Sequence, residues 1–451
     1  MEKNEKKNII LITIDSLRVD QLGCYGSKNK TKNIDNFAKK GIIYTKAFSN
    51  GSNTMVSVPV FLTSKYPPKI TSSTLTIAEV LQRNGYKTAV FNPNVLMLHG
   101  YCRNIKIYRG FKHVELFLSK HRKLFEPYVE FLIGHYGKIL KNIILGKRLK
   151  FLTKILTLPA LYVPIPIDVP CPRADIITKN AISWIETNKD KPMFIWINYM
   201  DAHEPYLPQE KFESVIEKIQ LTKLNRKLRY FNFLLNNEEI IELKSLYSKS
   251  IEYIDKYIGL FLEAIKEIDL GDTTIILTSD HGEQFNEHGS FVHPQEGLYN
   301  EQLHIPLIIY DPSKNSNKID YMVSLRNIPK TIINIAGLKS NYFDGMNLLD
   351  INNDENPIIS FGNPEGDYLS VISQGYKLII KNFGNTSYEL YDLQKDANEK
   401  IDISSKFPDI KYKLLDILKK HMDKQKKTNT YYEKLIIKRK IKKLKLNNNK
   451  L

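Results

Sequence analysis

An aspartate beside a histidine at the end of an apolar run offers oxygen and nitrogen donors suited to a divalent cation. The chain carries such a pair at Asp280-His281, inside the stretch TTIILTSDHGEQFNEHGSFVH that ends at His293. Ile275 to Leu277 reads as a buried strand, so the pair emerges where an open α/β sheet places its ligands. Asp15, in IDSLR, ends an earlier apolar run in the same manner. A third chemical group is Thr54, which follows the turn residues Asn50-Gly51-Ser52-Asn53 and opens a helix predicted over 54–63. Backbone N–H groups and the dipole at a helix start favour an anion, and a hydroxyl there is placed to attack a phosphate or sulfate ester. The plainer alternatives are a strand-end turn with a solvated Asp280 and a Thr54 that merely caps its helix.

These residues need a sheet to bring them together. Apolar runs at Asn8–Ile14, 42–47 and 275–277 read as strands, and 34–40 as a short helix capped by Asn33. The alternation predicts an α/β fold with a large, mostly parallel central sheet between helical layers, over residues 1–345. A smaller C-terminal α+β subdomain is expected over 346–423, with strands near 370–380 and 389–393 and a helix over 409–422. A basic tail follows over 424–451.

Several blocks in order carry a resemblance. LITIDSLRVDQLGCYG, TKNIDNFAKKGIIYTKAFSN, TMVSVPVFLTSKYPP, TIAEVLQRNGYKTAVF, KPMFIWINYMDAHEPY, TIILTSDHGEQFNEHG and GLYNEQLHIPLIIYDP run through most of residues 8–405. Together the chain resembles the sulfatase family of the alkaline-phosphatase-like superfamily. The resemblance implies one divalent metal ion (Ca²⁺, Mg²⁺, Mn²⁺ or Zn²⁺) held by Asp15, Asp280 and His281. It implies Thr54 as nucleophile and His203, in DAHEPY, facing the ester or its leaving group. His293 stands where many sulfatases have a lysine that contacts the ester oxygens. His288 is expected to line the pocket as a substrate-binding residue, and His304 to belong to strand packing.

The departures from the family pattern bear on the chemistry. Sulfatases carry a Cys/Ser-x-Pro-x-Arg block whose first residue becomes formylglycine, whereas this chain has Thr54-Met55-Val56-Ser57-Val58. Threonine cannot become formylglycine, so the block resembles the phosphoryl-transferring relatives. Ser16 replaces a second aspartate, and Asn92-Pro93-Asn94 lies where a Lys-x-His pair is expected. The expectation is a hydrolase or phosphotransferase acting on ester bonds. A sulfuric ester hydrolase with an unmodified hydroxyl, and a non-catalytic membrane-surface protein on the same fold, are the alternatives.

Bulk properties narrow the partners. The chain has 451 residues, 42% of them apolar, and three cysteines with no paired spacing. The N-terminal apolar run, 9–12, is too short for a signal peptide, which predicts a cytoplasmic protein. Of the net charge of +17, +10 falls in 424–451, where eleven Lys/Arg meet one Glu. An insertion at about 112–172 includes residues 120–154, with nine Lys/Arg against two Glu between apolar side chains. Both stretches suit an anionic membrane surface at the inner face, or a solvated terminus and a packed helical insertion. The ester substrate could then be glycan- or lipid-linked. No base-reading module is present, so nucleic acid is not expected as a partner.

Overall fold

Strand β1 (Asn8–Ile14) and β5 (Met193–Tyr199) are buried at every position, the pattern of strands covered on both faces. They lie side by side and parallel in a sheet of eight strands. The computed structural model describes residues 6–98, 100–117, 173–207, 214–338, 342–350, 356–381 and 386–426. The other members of this sheet are β2 (Ile42–Phe48), β3 (Lys87–Phe91), β4 (His113–Glu115), β6 (Thr273–Thr278), β9 (His304–Tyr310) and β10 (Asn317–Ser324). Their order is β10-β2-β9-β6-β1-β5-β3-β4, and only β9 runs antiparallel to its neighbours. The predicted large, mostly parallel sheet is therefore present.

Alternation within β1 divides the core. Ile10, Ile12 and Ile14 pack with the helices Ala174–Asn188 and Asn237–Ile268 on one face. Ile9 and Leu11 face the other layer, formed with α2 (Thr54–Thr63), α3 (Ile77–Arg83) and the helix Ile328–Ile335. Helix α2 is buried at every position except Met55, because a second sheet covers its outer side. That sheet is the antiparallel set β11 (Ile358–Phe361), β12 (Tyr368–Ser373), β13 (Tyr376–Lys381) and β14 (Ser387–Asp392). The helix Pro408–Lys426 packs on it through Leu414 and Leu418. A helix apolar all round has to be enclosed, and α2 is enclosed between the two sheets.

Three local expectations change. Helix α1 spans Lys32–Ala38 with Thr31 at its N-cap. Asn33 does not cap it, because the Asn33 side chain donates to Asp255 Oδ2 at 2.9 Å. The segment read as an insertion from 112 begins with β4, which extends the central sheet beside β3. Leu348 and Leu349 join the core of the large sheet, so that core runs past residue 345. The basic stretch 120–154 lies outside the described residues, as does the tail beyond Lys426. Among the described residues no helix is long and apolar enough to cross a membrane.

Candidate active site

The site forms at the carboxyl ends of β1 and β6, where Asp15 and Asp280 follow the last strand residues. Ser16 turns the chain sharply there with φ of 63°, a left-handed conformation that a non-glycine residue adopts only when held. Its holders are on all sides. Ser16 N donates to Asp280 Oδ1 at 3.3 Å, Ser16 Oγ to Asp15 Oδ1 at 3.2 Å, and Tyr247 OH to Ser16 O at 2.7 Å.

Thr54 reaches the same point from α2. Asn53 is extended and occupies the N-cap position, so Thr54 is the first helical residue and its hydroxyl is not spent on capping. Thr54 Oγ1 lies 3.1 Å from His281 Nε2 and 3.4 Å from Asp15 Oδ2. His281 Nδ1 stands 2.8 Å from Gly282 O, a group that can only accept, so Nδ1 carries the proton. Nε2 is therefore the ring nitrogen that faces Asp15 Oδ1 at 3.6 Å and Asp280 Oδ2 at 3.5 Å.

Asp15, Asp280 and His281 are buried, and their ligand atoms fall within 4.8 Å of one another. Asp280 Oδ2 has no hydrogen-bond partner. Burial, then the facing Asp15, pushes the Asp280 carboxyl up to about 6, against the pull of His281. Two oxygens and one nitrogen, an unpartnered buried carboxylate oxygen and uncompensated negative charge fit a divalent cation.

A second layer flanks this set. The His293 ring stands with its centroid 4.8 Å from those of both His281 and His203. Glu283, fully buried, receives His293 Nδ1 at 3.2 Å and the Tyr206 hydroxyl at 2.8 Å. His203 Nδ1 lies 2.7 Å from Glu204 O and 2.9 Å from Glu204 Oε2. Burial opposes charge on His203, but Glu204 outweighs it and raises the imidazole well above its usual range. Burial likewise opposes charge on His293, and Glu283 and Glu204 raise it. His203, Glu204 and His293 also lie close enough to hold an ion, yet each imidazole there already faces a carboxylate.

The structure thus brings Asp15, Thr54, Asp280 and His281 together, with His203 and His293 beside them. His288 stands elsewhere. Its ring stacks on Tyr299 with centroids 3.7 Å apart, and its Nε2 lies 3.2 Å from Glu301 Oε2. With Glu301 it turns toward the junction with the second sheet, where Glu399 meets Lys377. The sequence places His288 near Asp280, but the hairpin β7 (Gln284–Phe285) to β8 (Phe291–Val292) carries it away. His304 belongs to strand packing as expected, its Nε2 2.8 Å from Thr45 O.

Sequence reasoning did not single out Glu204, Glu283 or Asn94. Glu204 and Glu283 sit inside quoted motifs, beside His203 and two positions after His281. Asn94 was visible only as a departure from Lys-x-His, yet its Nδ2 donates to Asp15 Oδ2 at 3.0 Å.

Comparison with known proteins fits this geometry. The sulfatase family profile matches residues 7–338. The chain belongs to the sulfatase family. This sulfatase is 24% identical over 443 residues to an arylsulfatase of Clostridium perfringens, covering 87% of the chain and 89% of that protein. An uncharacterised sulfatase of Escherichia coli is 25% identical over 275 residues, 55% of each chain, so the match spans about half of that relative. Among solved structures, a protein in complex with its substrate D-glucosamine-2-N,6-O-disulfate superposes with a TM-score of 0.67 at 17% identity, covering 95% of this chain and 99% of that one. The phosphonate monoester hydrolase of Agrobacterium radiobacter does so with 0.65 at 18% identity, covering 92% and 96%. The family and these neighbours are ester-bond hydrolases, and the eight-stranded sheet with its small antiparallel companion is the sulfatase fold.

Proposed function

We propose that this sulfatase is a metal-dependent phosphoryl-ester hydrolase or transferase in which the unmodified Thr54 hydroxyl is the nucleophile. The observation that carries the reading is the position of Thr54 Oγ1, 3.1 Å from His281 Nε2 and 3.4 Å from Asp15 Oδ2, at the first residue of α2. Asp15, Asp280 and His281 would hold one divalent ion. Such an ion supplies charge neutralisation of the ester oxygens and lowers the pKa of an adjacent hydroxyl.

The chain's own groups divide the remaining work. Thr54 Oγ1 points its proton toward Asp15 Oδ2 and attacks the ester centre in line, at a helix start that favours the anion. His203, kept cationic by Glu204, faces the developing charge on the leaving oxygen and protonates it. His293, oriented by Glu283, contacts a non-bridging oxygen in place of the usual lysine. The covalent ester on Thr54 is then released to water or to another hydroxyl.

The test is trapping. Incubation of the metal-loaded protein with an aryl phosphate monoester, followed by acid quench, should leave a phosphate adduct on the peptide containing Thr54. High-resolution mass spectrometry separates this adduct from a sulfate of nearly equal mass. An unmodified Thr54 under turnover would remove the nucleophile.

Sulfate esters are the second reading, favoured by the arylsulfatase relative and the neighbour bound to a sulfated glucosamine. Parallel rates on aryl sulfate and aryl phosphodiester decide between them. The basic, apolar-interleaved residues 120–154 and 424–451 support a contact with the anionic inner face of a membrane and a glycan- or lipid-linked substrate. Co-sedimentation with anionic liposomes, with and without 424–451, tests it; no pelleting of either form would discard it.

A further inference from the structure

A continuous line of buried side chains crosses the carboxyl ends of three neighbouring strands and stops on Asp15. It starts at Trp196, whose Nε1 donates to Thr13 Oγ1 at 2.8 Å. Thr13 Oγ1 donates to Asn198 Oδ1 at 2.6 Å, across the β1–β5 register that pairs these two residues. Asn198 Nδ2 donates to Asn92 Oδ1 at 3.0 Å, and Asn94 N donates to the same oxygen at 2.9 Å. Asn94 Nδ2 then donates to Asp15 Oδ2 at 3.0 Å.

Chemistry fixes the direction of every link. An indole N–H and a backbone N–H can only donate, and an ionised carboxylate can only accept. The atom of Asn92 that meets Asn94 N is therefore an oxygen, which forces Asn198 to present its nitrogen there and its oxygen to Thr13. At the far end the atom of Asn94 facing Asp15 has to be the amide nitrogen. Asn92 is held further by its Nδ2, which donates to Tyr108 OH at 3.1 Å. Thr13, Asn92, Asn94 and Asn198 are each at most 3% exposed, so water does not compete for these bonds.

Asp15 Oδ2 is also the oxygen that receives Thr54 Oγ1. We infer that Asn94 is a positioning residue: it fixes the plane of the Asp15 carboxylate, and through it both the cation donor set and the Thr54 hydroxyl. The inference rests on the proposed Thr54 reaction with its ion, and it gives a task to a residue that stands where the family has a lysine and histidine. A donor bonded to a ligating carboxylate is worth roughly 10–100-fold in metal affinity or activity.

The experiment titrates metal-free wild type, Asn94→Ala and Asn94→Ser with Mn²⁺ by calorimetry, alongside circular dichroism. Asn94→Ala should bind roughly 10–100-fold more weakly than wild type. Asn94→Ser, which keeps a donor, should recover part of that loss, and both should keep the wild-type spectrum. On an aryl phosphodiester with saturating Mn²⁺, kcat should fall with KM nearly unchanged, because Asn94 acts through Asp15. A wild-type Kd in Asn94→Ala overturns the inference. So does a folded Asn94→Ser no better than Ala. If Ala does not fold, Asn94→Leu, which keeps the volume and removes the donor, carries the comparison, and a wild-type Kd there is equally decisive. Full activity in Thr54→Ala, or no Mn²⁺ binding by wild type, removes the proposed reaction and this inference together. A wild type that binds Mn²⁺ and an inert Thr54→Ala, beside an Asn94→Ala that binds normally, removes only the role of Asn94.

Discussion

Thr54 and His281 are 227 positions apart in the chain, yet Oγ1 of one lies 3.1 Å from Nε2 of the other. The contact exists because β6 delivers His281 to the sheet edge while α2 starts at the same point. His281 Nδ1 is occupied by Gly282 O, which leaves Nε2 as the atom that faces the hydroxyl.

Removal of that hydroxyl should leave the fold and abolish turnover. Thr54→Ala is expected to lose roughly 10⁴-fold or more in kcat, the scale of losing a nucleophile. Thr54→Ser should keep measurable activity. Steady-state assay of both variants beside Mn²⁺ titration checks this, since Thr54→Ala should still bind the ion.

Chelation should act on stability as well as rate. With Asp15 and Asp280 facing each other in a buried site, a bound cation stabilises only the folded state. At a free concentration about 100 times its Kd it adds about 2.7 kcal/mol. EDTA should therefore lower Tm and abolish activity, with both restored by readdition of one of the four candidate ions. A chelated protein with unchanged Tm and rate would count against the ion.

Glu204 gives a pH prediction. His203 has its pKa raised, so its charged form is present at low pH and persists through neutrality before it is lost. Glu204→Gln removes the largest raising influence and leaves burial, which lowers the pKa, against the smaller raising pull of Asp15 and Glu283. The rate of that variant should fall as pH rises past about 6–7, while wild type stays flat to higher pH. A kcat/KM profile from pH 5.5 to 9 makes the comparison.

Gly51 sits directly behind the nucleophile. A Cβ there would lie 2.5 Å from Ser57 N and 2.8 Å from Val56 Cβ, on the first turns of α2. Gly51→Ala should push that helix start away from His281. The expected cost is about 1–3 kcal/mol of stability and up to roughly 10²-fold in kcat. Thermal melts and kinetics on one preparation separate the two effects.

Asp311 predicts the acid limb of stability. Burial raises its pKa, but hydrogen bonds from Ser313, Thr274 and Lys7 outweigh that and hold it at about 2. A carboxyl depressed in the folded state stabilises above its unfolded value of about 3.9, and that contribution is lost as pH falls toward 2. Asp311→Asn should be less stable at pH 7 and show a shallower decline between pH 4 and 2, measured by urea melts.

Much of the architecture was legible because the relevant strands are fully buried. A run such as NIILITI or MFIWINY can do little else than lie between two layers. Asp15, Thr54, Asp280 and His281 were legible because each follows or starts such an element. What escaped was set by partners far away in sequence. Asn33 gives up the cap of α1 to Asp255, 222 positions on. Strand β4 has three residues and no apolar run, so only its pairing with β3 defines it. His288 shares a motif with Asp280 but follows a hairpin outward. Asn94 and Glu283 are ordinary polar residues until Asp15 and His293 are seen against them.

The loop that delivers Thr54 is stitched to β11 along its length. Ser360 Oγ donates to Ser49 O, Asn50 Nδ2 to Ile359 O, Phe361 N to Asn50 O, Ser52 N to Phe361 O and Asn53 Nδ2 to Gly362 O. The smaller sheet is thus the far jaw of a vice whose near jaw is β6, with the reacting hydroxyl gripped between them. A polypeptide cut after the first sheet would retain every residue assigned to chemistry and still be blunt, because the hand that steadies Thr54 would be missing.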